Sequence, residues 1–168
     1  KESAYKCVYP HVRRVLGFQE VEIELDFARR RFAVSFDDDV RSRIETMLLS
    51  HPGYCLGYRL KAHDKTVCYI TDNELYNPSD MRRDERYVER LAKFVEGADV
   101  LITDTTYRDH EYPSKVDWGH SSVSQVARFA AQADVKRLHL FHHDPDQDDE
   151  AIDRKTDETR EALVKLGS

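Results

Sequence analysis

The sequence has few of the residues that mark fibrous, disulfide-bonded or membrane-spanning proteins. Its 168 residues include 6 glycines, 5 prolines, 3 cysteines and 1 tryptophan. The small share of glycine and proline excludes collagen-like and low-complexity chains, and no apolar run approaches the roughly 20 residues that cross a bilayer. An excess of cationic residues is also missing, since 26 basic residues against 32 acidic ones give a formal charge of −6. That charge argues against a broad electrostatic contact with nucleic acid.

The cysteines, Cys7, Cys55 and Cys68, are too few and too irregularly spaced for a disulfide framework, and they include no C-x-x-C pair. Cys55 and Cys68 lie in apolar, strand-like runs, where a free thiol behaves as a small hydrophobe. With 40% apolar and 35% charged residues, the chain can bury a sizeable core. We therefore predict one domain, residues 1–168, with reduced core cysteines in a cytoplasmic protein.

Hydrophobic periodicity predicts alternating strands and helices over most of the chain. Strands are predicted at 21–25, 32–36, 55–60, 66–71, 99–103 and 137–141, and helices at 82–96, 121–133 and 148–166. Ser121 or Ser122 is expected to cap the second helix, and Ile152, Leu163 and Leu166 to form the apolar stripe of the third. The charged clusters at 29–31 and 37–39 are typical of solvated turns. This alternation is typical of an α/β layered fold.

Three candidate metal ligands lie at the ends of predicted strands. His51 precedes the strand at 55–60, Asp72 follows the strand at 66–71, and His142 follows the strand at 137–141. Ligands collect beyond strand ends in α/β sheets. Zinc and manganese accept imidazole and carboxylate ligands. Taken singly, His51 before Pro-Gly and Asp72 before Asn are also common turn residues.

Two further loops carry candidate chemistry. His142 is followed by His143 and Asp144, and these polar groups at a buried strand edge require partners. In the loop 117–122, His120 lies directly before a predicted helix N-terminus, which attracts phosphate, and histidine is well suited to donate a proton near neutral pH. Asp104, which closes a predicted strand, could orient and charge that imidazole. The alternative interpretation is a capping loop with a solvent-facing histidine.

These pieces, in this order, resemble the metallo-β-lactamase superfamily, and most closely its phosphodiesterase branch, which includes tRNase Z and the cyclic-phosphate phosphodiesterases. The matching runs are HPG…GYRL, YITD, ADVLITDTTY, WGHSS and LFHHDP, within residues 48–150. The spacing from His51 to Asp72 and from His120 to His142 also matches. The resemblance implies a four-layer αββα sandwich that is incomplete in these residues.

The same resemblance implies a dinuclear site for two divalent ions, with zinc expected first and manganese second. His51 would bind one ion, His142 the other, and Asp72 would bridge both. His120, supported by Asp104, would give a proton to the leaving oxygen after attack by a metal-activated hydroxide. His143 and Asp144 would then lie behind the ligands.

The sequence departs from the family at one point, because the leading signature His-x-His-x-Asp-His is absent. A catalytic zinc normally keeps three protein ligands, so this chain is short of ligands. We expect that the signature half precedes His51 in a longer protein and is missing here. The alternative is a degenerate member that has lost catalysis and serves as a binding or oligomerisation module.

The sequence thus predicts a metallohydrolase that cleaves a phosphodiester, with a cyclic nucleotide or another small cyclic phosphate as the leading substrate. A small phosphodiester is then the expected partner, a homodimer is allowed, and no membrane contact is expected. The alternative enzyme is a tRNA 3′-processing endonuclease. It would call for a basic, glycine-rich arm that holds tRNA, and neither that arm nor a positive charge balance is visible in the sequence.

Overall fold

The computed structural model describes residues 21–26, 31–36 and 42–167, and these form a seven-stranded mixed sheet. The strands are β1 (Val21–Asp26), β2 (Arg31–Phe36), β3 (Ser42–Leu48), β4 (Leu56–Ala62), β5 (Lys65–Ile70), β6 (Val100–Asp104) and β7 (Leu138–Phe141). They lie side by side in chain order. The first five pair antiparallel, while β5, β6 and β7 run parallel. The ends of those three parallel strands therefore meet at one edge, where ligands collect in α/β folds.

Within the described residues, three α-helices and one 3₁₀ turn connect or follow the strands. They are α1 (Glu85–Val95), the 3₁₀ turn Tyr112–Ser114, α2 (Val123–Gln132) and α3 (Asp149–Leu166). Asp84 caps α1 by accepting from the backbone N–H groups of Arg86 and Tyr87. Ser122 is the N-cap of α2, and its own N–H donates to Gln125 at 2.8 Å. None of the helices in the described part of the chain has the length and apolar character that a membrane span requires.

The core lies between one face of the sheet and the first two helices. Cys68 and Ile70 of β5 and Leu101 of β6 are fully buried, and the β5–β6 register places Cys68 directly beside Leu101. They belong to one cluster with helix residues that include Leu91, Phe94, Val95, Val126, Phe129 and Ala130. A four-layer sandwich has two sheets with helices outside each. The described residues form one sheet and its helices, which is half of that architecture.

The predicted strands and helices are found within a few residues of their predicted bounds, and one further strand is present. Strand β3 was not predicted, because its buried positions include Thr46 rather than a regular apolar alternation. The prediction of solvated turns at 29–31 and 37–39 falls almost wholly outside the described residues, although Arg31 begins β2. Cys68 is a core thiol as predicted, whereas the same prediction for Cys55 is wrong. Cys55 lies just before β4 and is only half-buried.

The predicted apolar stripe of α3 is found in part, because Ile152 and Leu163 are half-buried. Leu166 is 47% exposed, while the fully buried residues of this helix are Lys155 and Thr159. Lys155 Nζ donates to the carbonyl oxygens of Thr105 and Thr106 and to Gln147 Oε1, at 2.7, 3.0 and 2.7 Å. Its three ammonium hydrogens thus meet three oxygens, even though burial lowers the pKa of Lys155 to about 8. A polar contact therefore fixes α3 to the end of β6.

Replacing Lys155 with methionine is expected to lower the free energy of unfolding by about 2–4 kcal/mol. The buried carbonyl oxygen of Thr105 would lose its Lys155 donor, while that of Thr106 would keep the amide of Gln147. An unsatisfied buried group costs about 1–3 kcal/mol, and the loss of the other two Lys155 hydrogen bonds adds to this cost. Urea denaturation measures the change. Lys165→Met in the same helix is the matched control, since that side chain is 77% exposed. Equal stabilities of the two variants would contradict a structural role for Lys155.

Candidate active site

The structure brings His51, Asp72 and His142 together at the edge of the sheet where the parallel strands end. His51 lies between β3 and β4, Asp72 follows β5, and His142 follows β7. Nε2 of His142 is 3.2 Å from Oδ1 of Asp72, and Nε2 of His51 is 4.0 Å from Oδ2 of the same carboxylate. Each carboxylate oxygen therefore faces one imidazole.

His120 lies beside this group and is held by Asp104. Nδ1 of His120 is 2.7 Å from Oδ2 of Asp104, whose side chain is fully buried. The His120 ring stacks on the His142 ring, with centroids 4.7 Å apart, and its centroid is 5.5 Å from that of His51. Desolvation lowers the pKa of His120, but the hydrogen bond and charge of Asp104, with the charge of Asp72, outweigh it and leave that pKa raised.

Replacing Asp104 with asparagine is expected to lower the pKa of His120, because the neutral amide removes the charge that favours the imidazolium. An NMR titration of the His120 ring protons measures that pKa directly. In the parent protein, the pair stabilises the fold at pH values below the unfolded histidine pKa of 6.5. This stabilisation is lost as pH rises through the raised pKa of His120. An unchanged pKa in the variant would contradict the pairing.

Asp104 and Thr106 also fix the position of His142. Asp104 Oδ1 accepts from the Thr106 hydroxyl at 2.7 Å and from the Thr106 backbone N–H at 3.0 Å. Oγ1 of Thr106 lies 3.1 Å from Nδ1 of His142. The Thr106 hydroxyl also lies 2.7 Å from the carbonyl oxygen of His142. Whichever of the two oxygens takes the hydroxyl hydrogen, Oγ1 can accept from Nδ1–H, and that tautomer places the lone pair of Nε2 toward Asp72. His142 takes a positive φ of 57°, a strained conformation typical of functional sites.

His51 is held by its own loop. The backbone N–H of Gly53 donates to Nδ1 of His51 at 3.0 Å, and the thiol of Cys55 lies 3.4 Å from the same nitrogen. The sulfur is also 3.7 Å from Oδ2 of Asp72. Burial, followed by the charge of Asp72, raises the pKa of this thiol. Cys55 therefore belongs to the site, which its position in an apolar run did not indicate.

Glu74 is a second site residue that no sequence pattern indicated. It is 2% exposed, and its carboxylate accepts from the Tyr112 hydroxyl and from the backbone N–H groups of Asp117 and Gly119, at 2.7, 3.0 and 2.9 Å. These bonds fix the loop that precedes His120. An acidic residue two positions after Asp72 looks like a solvated turn in sequence, and only the fold brings it under this loop.

His143 and Asp144 lie next to the group without entering it. Nδ1 of His143 is buried and has no hydrogen-bond partner among the described residues. Burial lowers the pKa of His143, and the positive charges of Lys155 and His142 lower it further. Asp144 accepts from the backbone N–H of Asp146 at 3.0 Å, as a turn residue does.

The donor set fits divalent metal ions. For metal–ligand bonds of 2.0–2.1 Å at a tetrahedral ion, neighbouring nitrogen and oxygen ligands lie about 3.4 Å apart. The 3.2 Å separation between Nε2 of His142 and Oδ1 of Asp72 is close to that value. The 4.0 Å separation between Nε2 of His51 and Oδ2 of Asp72 would have to shorten slightly for both atoms to bind one ion. Because the two oxygens of Asp72 face different imidazoles, this carboxylate can hold two ions at once. In the described part of the chain, Asp72 forms one group of metal-compatible spacing with His51 and Cys55. It forms another with His120 and His142.

Replacing Gly119 with alanine is expected to displace His51 and weaken metal binding. A Cβ atom there would lie 2.7 Å from Cδ of Pro52 and 2.9 Å from Nε2 of His51, and φ at Gly119 is +90°. The matched control is Gly97→Ala, because φ there is +63° and nothing lies within 4 Å of the added carbon. Both variants should lose about 1–3 kcal/mol of stability. A zinc titration should show weaker binding for Gly119→Ala alone, and equal affinities would contradict the prediction.

The family model of the beta-lactamase superfamily domain matches residues 8–143 of this chain. The chain belongs to the metallo-β-lactamase superfamily. Among curated relatives, ribonuclease Z of Thermoplasma acidophilum is 44% identical over 137 residues, which cover 61% of this chain and 45% of that protein. Ribonuclease Z of Bacillus cereus is 27% identical over 143 residues, which cover 62% of this chain and 47% of that protein. The chain thus spans about half the length of the curated relatives it matches.

Solved structures show the metallo-β-lactamase fold. The metallo-beta-lactamase fold protein YhfI from Bacillus subtilis superposes with a TM-score of 0.58 at 18% identity, over 90% of this chain and 49% of that one. The short form of human tRNase Z superposes with a TM-score of 0.55 at 22% identity, over 77% of this chain and 47% of that one. The fold class and the superfamily expected from the sequence motifs are confirmed, and the fold present in this chain is a partial one.

Proposed function

We propose that the protein is a metal-dependent phosphodiesterase that cleaves RNA in the manner of a ribonuclease Z. The observation that carries this proposal is the convergence of His51 and His142 on Asp72, with the His120–Asp104 pair beside them. The ribonuclease Z relatives favour RNA as the substrate. They support the tRNA-processing alternative better than the small cyclic phosphate, which was the leading expectation from the sequence.

In this proposal His51 and His142 hold one divalent ion each, and Asp72 holds both. Such ions, when bound, polarise a phosphate oxygen and lower the pKa of water, which supplies the nucleophile at neutral pH. The three side chains fill fewer positions than two ions need, because a catalytic zinc takes three protein ligands. Further residues of the protein therefore complete the coordination. Zinc suits these ligands, and manganese accepts them too.

His120 is the proton donor to the leaving oxygen. Its Nδ1 is engaged by Asp104 at 2.7 Å, so Nε2 is the atom that can give a proton to a substrate. Asp104 favours the imidazolium and raises the pKa of His120, which suits a group that protonates an alkoxide leaving group of RNA. Glu74 and Asp104 fix the backbone and the ring of this donor from two sides.

The proposal is tested with three substrates on the zinc- or manganese-loaded protein. These are a precursor tRNA with a 3′ extension, a 2′,3′-cyclic nucleotide and bis(p-nitrophenyl) phosphate. We expect cleavage of the precursor tRNA and of the activated diester, and loss of both activities after chelation. Asp64→Ala should behave like the parent protein in all three assays, because that side chain is 80% exposed in the turn between β4 and β5.

The other outcomes assign other functions. Hydrolysis of the cyclic nucleotide without cleavage of the tRNA would overturn the RNA substrate and restore the small cyclic phosphate. Tight metal binding without hydrolysis of any of the three would overturn the enzymatic proposal and leave a binding or oligomerisation module.

A further inference from the structure

Cys55 lies against two of the proposed metal ligands without a role in the proposed reaction. Its sulfur is 3.4 Å from Nδ1 of His51 and 3.7 Å from Oδ2 of Asp72. One donor atom from each of these three residues can be chosen so that all lie within 4.8 Å of one another. A second such group in the described part of the chain consists of Asp72, His120 and His142. Asp72 is common to both groups.

The spacing of the Cys55 group matches a single tetrahedral ion. With a zinc–sulfur bond of about 2.3 Å and zinc–nitrogen or zinc–oxygen bonds of about 2.0–2.1 Å, sulfur lies about 3.6 Å from each other ligand. The sulfur lies 3.7 Å from Oδ2 of Asp72 and 3.4 Å from Nδ1 of His51. This spacing fits an ion bound through Nδ1 of His51, which would replace the Gly53 N–H at that nitrogen, and not through the Nε2 atom that faces Asp72 at 4.0 Å. Cys55 would add a third ligand from the described residues to His51 and Asp72.

We propose that Cys55 is a ligand of the metal ion held by His51 and Asp72, as a thiolate. The inference depends on the metal site of the proposed function and adds one ligand to it. On coordination the S–H bond breaks, its proton passes to solvent, and the sulfur lone pair forms the bond to the metal. Because thiolate is a soft ligand, the ion at this position should be zinc or cadmium in preference to manganese.

The competing role for Cys55 is that of a hydrogen-bond donor. A neutral thiol at these distances can donate weakly to Oδ2 of Asp72 or to Nδ1 of His51, and it would then orient the ligands without touching the metal. A measurement that detects a metal–sulfur bond distinguishes the two roles. Such a measurement does not depend on which ring nitrogen of His51 binds.

Cobalt(II) substitution provides that measurement. Cobalt(II) shows visible d–d bands in any protein site and a near-ultraviolet sulfur-to-metal charge-transfer band only when sulfur is bound. We expect both bands in the parent protein. Cys55→Ser should keep the d–d bands and lose the charge-transfer band, with circular dichroism confirming that the variant is folded. Cys68→Ala is the matched control, because it removes a fully buried thiol and leaves Cys55 in place.

Metal affinities give a second readout that needs no substrate. Cys55→Ser should bind zinc and cadmium at least about 10–100-fold more weakly than the parent protein, with manganese affinity nearly unchanged. Cys55→His, which replaces one ligand type by another, should recover zinc binding without the charge-transfer band.

The outcomes separate this inference from the proposed function. The d–d bands without a charge-transfer band in the parent protein would overturn ligation by Cys55 while leaving the metal site intact. A charge-transfer band that persists in Cys55→Ser would also overturn it. Absence of all cobalt bands would overturn the metal site and the cysteine ligand together.

Discussion

Replacing Asp72 with alanine is expected to abolish metal binding and hydrolysis together. Both oxygens of this carboxylate face imidazoles, one at His142 and one at His51, so the substitution removes a ligand from each of the two ions. Removal of a residue that only hydrogen-bonds a metal ligand lowers metal affinity by about 10–100-fold. The loss of affinity in Asp72→Ala should be larger than this. Metal content after dialysis and the rate of diester hydrolysis measure the two effects on the same sample.

The control for this substitution is Asp64→Ala, which removes a carboxylate of the same size from an exposed turn. It should retain the parent's metal content and rate. Full metal content in Asp72→Ala would contradict a bridging role, and so would loss of only half of the bound metal, because a shared ligand cannot affect one ion alone.

Replacing His120 with alanine is expected to slow turnover by about 10²–10⁴-fold while metal content stays at the parent level. The ring engages Asp104 through Nδ1 and stacks on His142, and in the proposal it is not a metal ligand. Removal of the ring should therefore slow proton transfer to the leaving group and leave the metal ligands in place. His139→Ala is the matched control, since that histidine is exposed on β7.

The leaving group gives a second test of His120. A diester with p-nitrophenolate, which leaves without protonation, should lose much less rate in His120→Ala than an RNA substrate with an alkoxide leaving group. Equal losses for the two leaving groups would contradict proton donation. Loss of metal in His120→Ala would instead make this histidine a ligand within the group that it forms with Asp72 and His142.

The sequence predicted that β5, β6 and β7 are strands and that polar residues lie at their ends, and there is a physical reason for this success. Buried strands such as β5 and β6 can be recognised in the sequence as apolar runs. The residue that follows such a run lies at the end of the strand, and therefore at the sheet edge, whatever the packing of the rest of the fold. His142 and Asp72 could therefore be placed before their contact was known. The roles of these residues came from the order of the motifs, which local patterns do not encode.

The residues that sequence patterns missed act through contacts distant along the chain. Glu74 contacts Gly119, which lies 45 positions later in the chain, and Lys155 contacts Thr105, which lies 50 positions earlier. Each is an ordinary charged residue in its own segment. Burial gives them their importance, since a buried charge must be matched by hydrogen-bond partners. Cys55 was misassigned for the related reason that a half-buried thiol and a core thiol look alike in an apolar run.

Anomalous X-ray diffraction at the zinc absorption edge, on crystals grown with zinc, tests the central claim most directly. The account predicts anomalous peaks within bonding distance of His51, Asp72 and His142, with Asp72 bonded to each ion. A site at these residues without a peak, or zinc bound only at other residues, would contradict it.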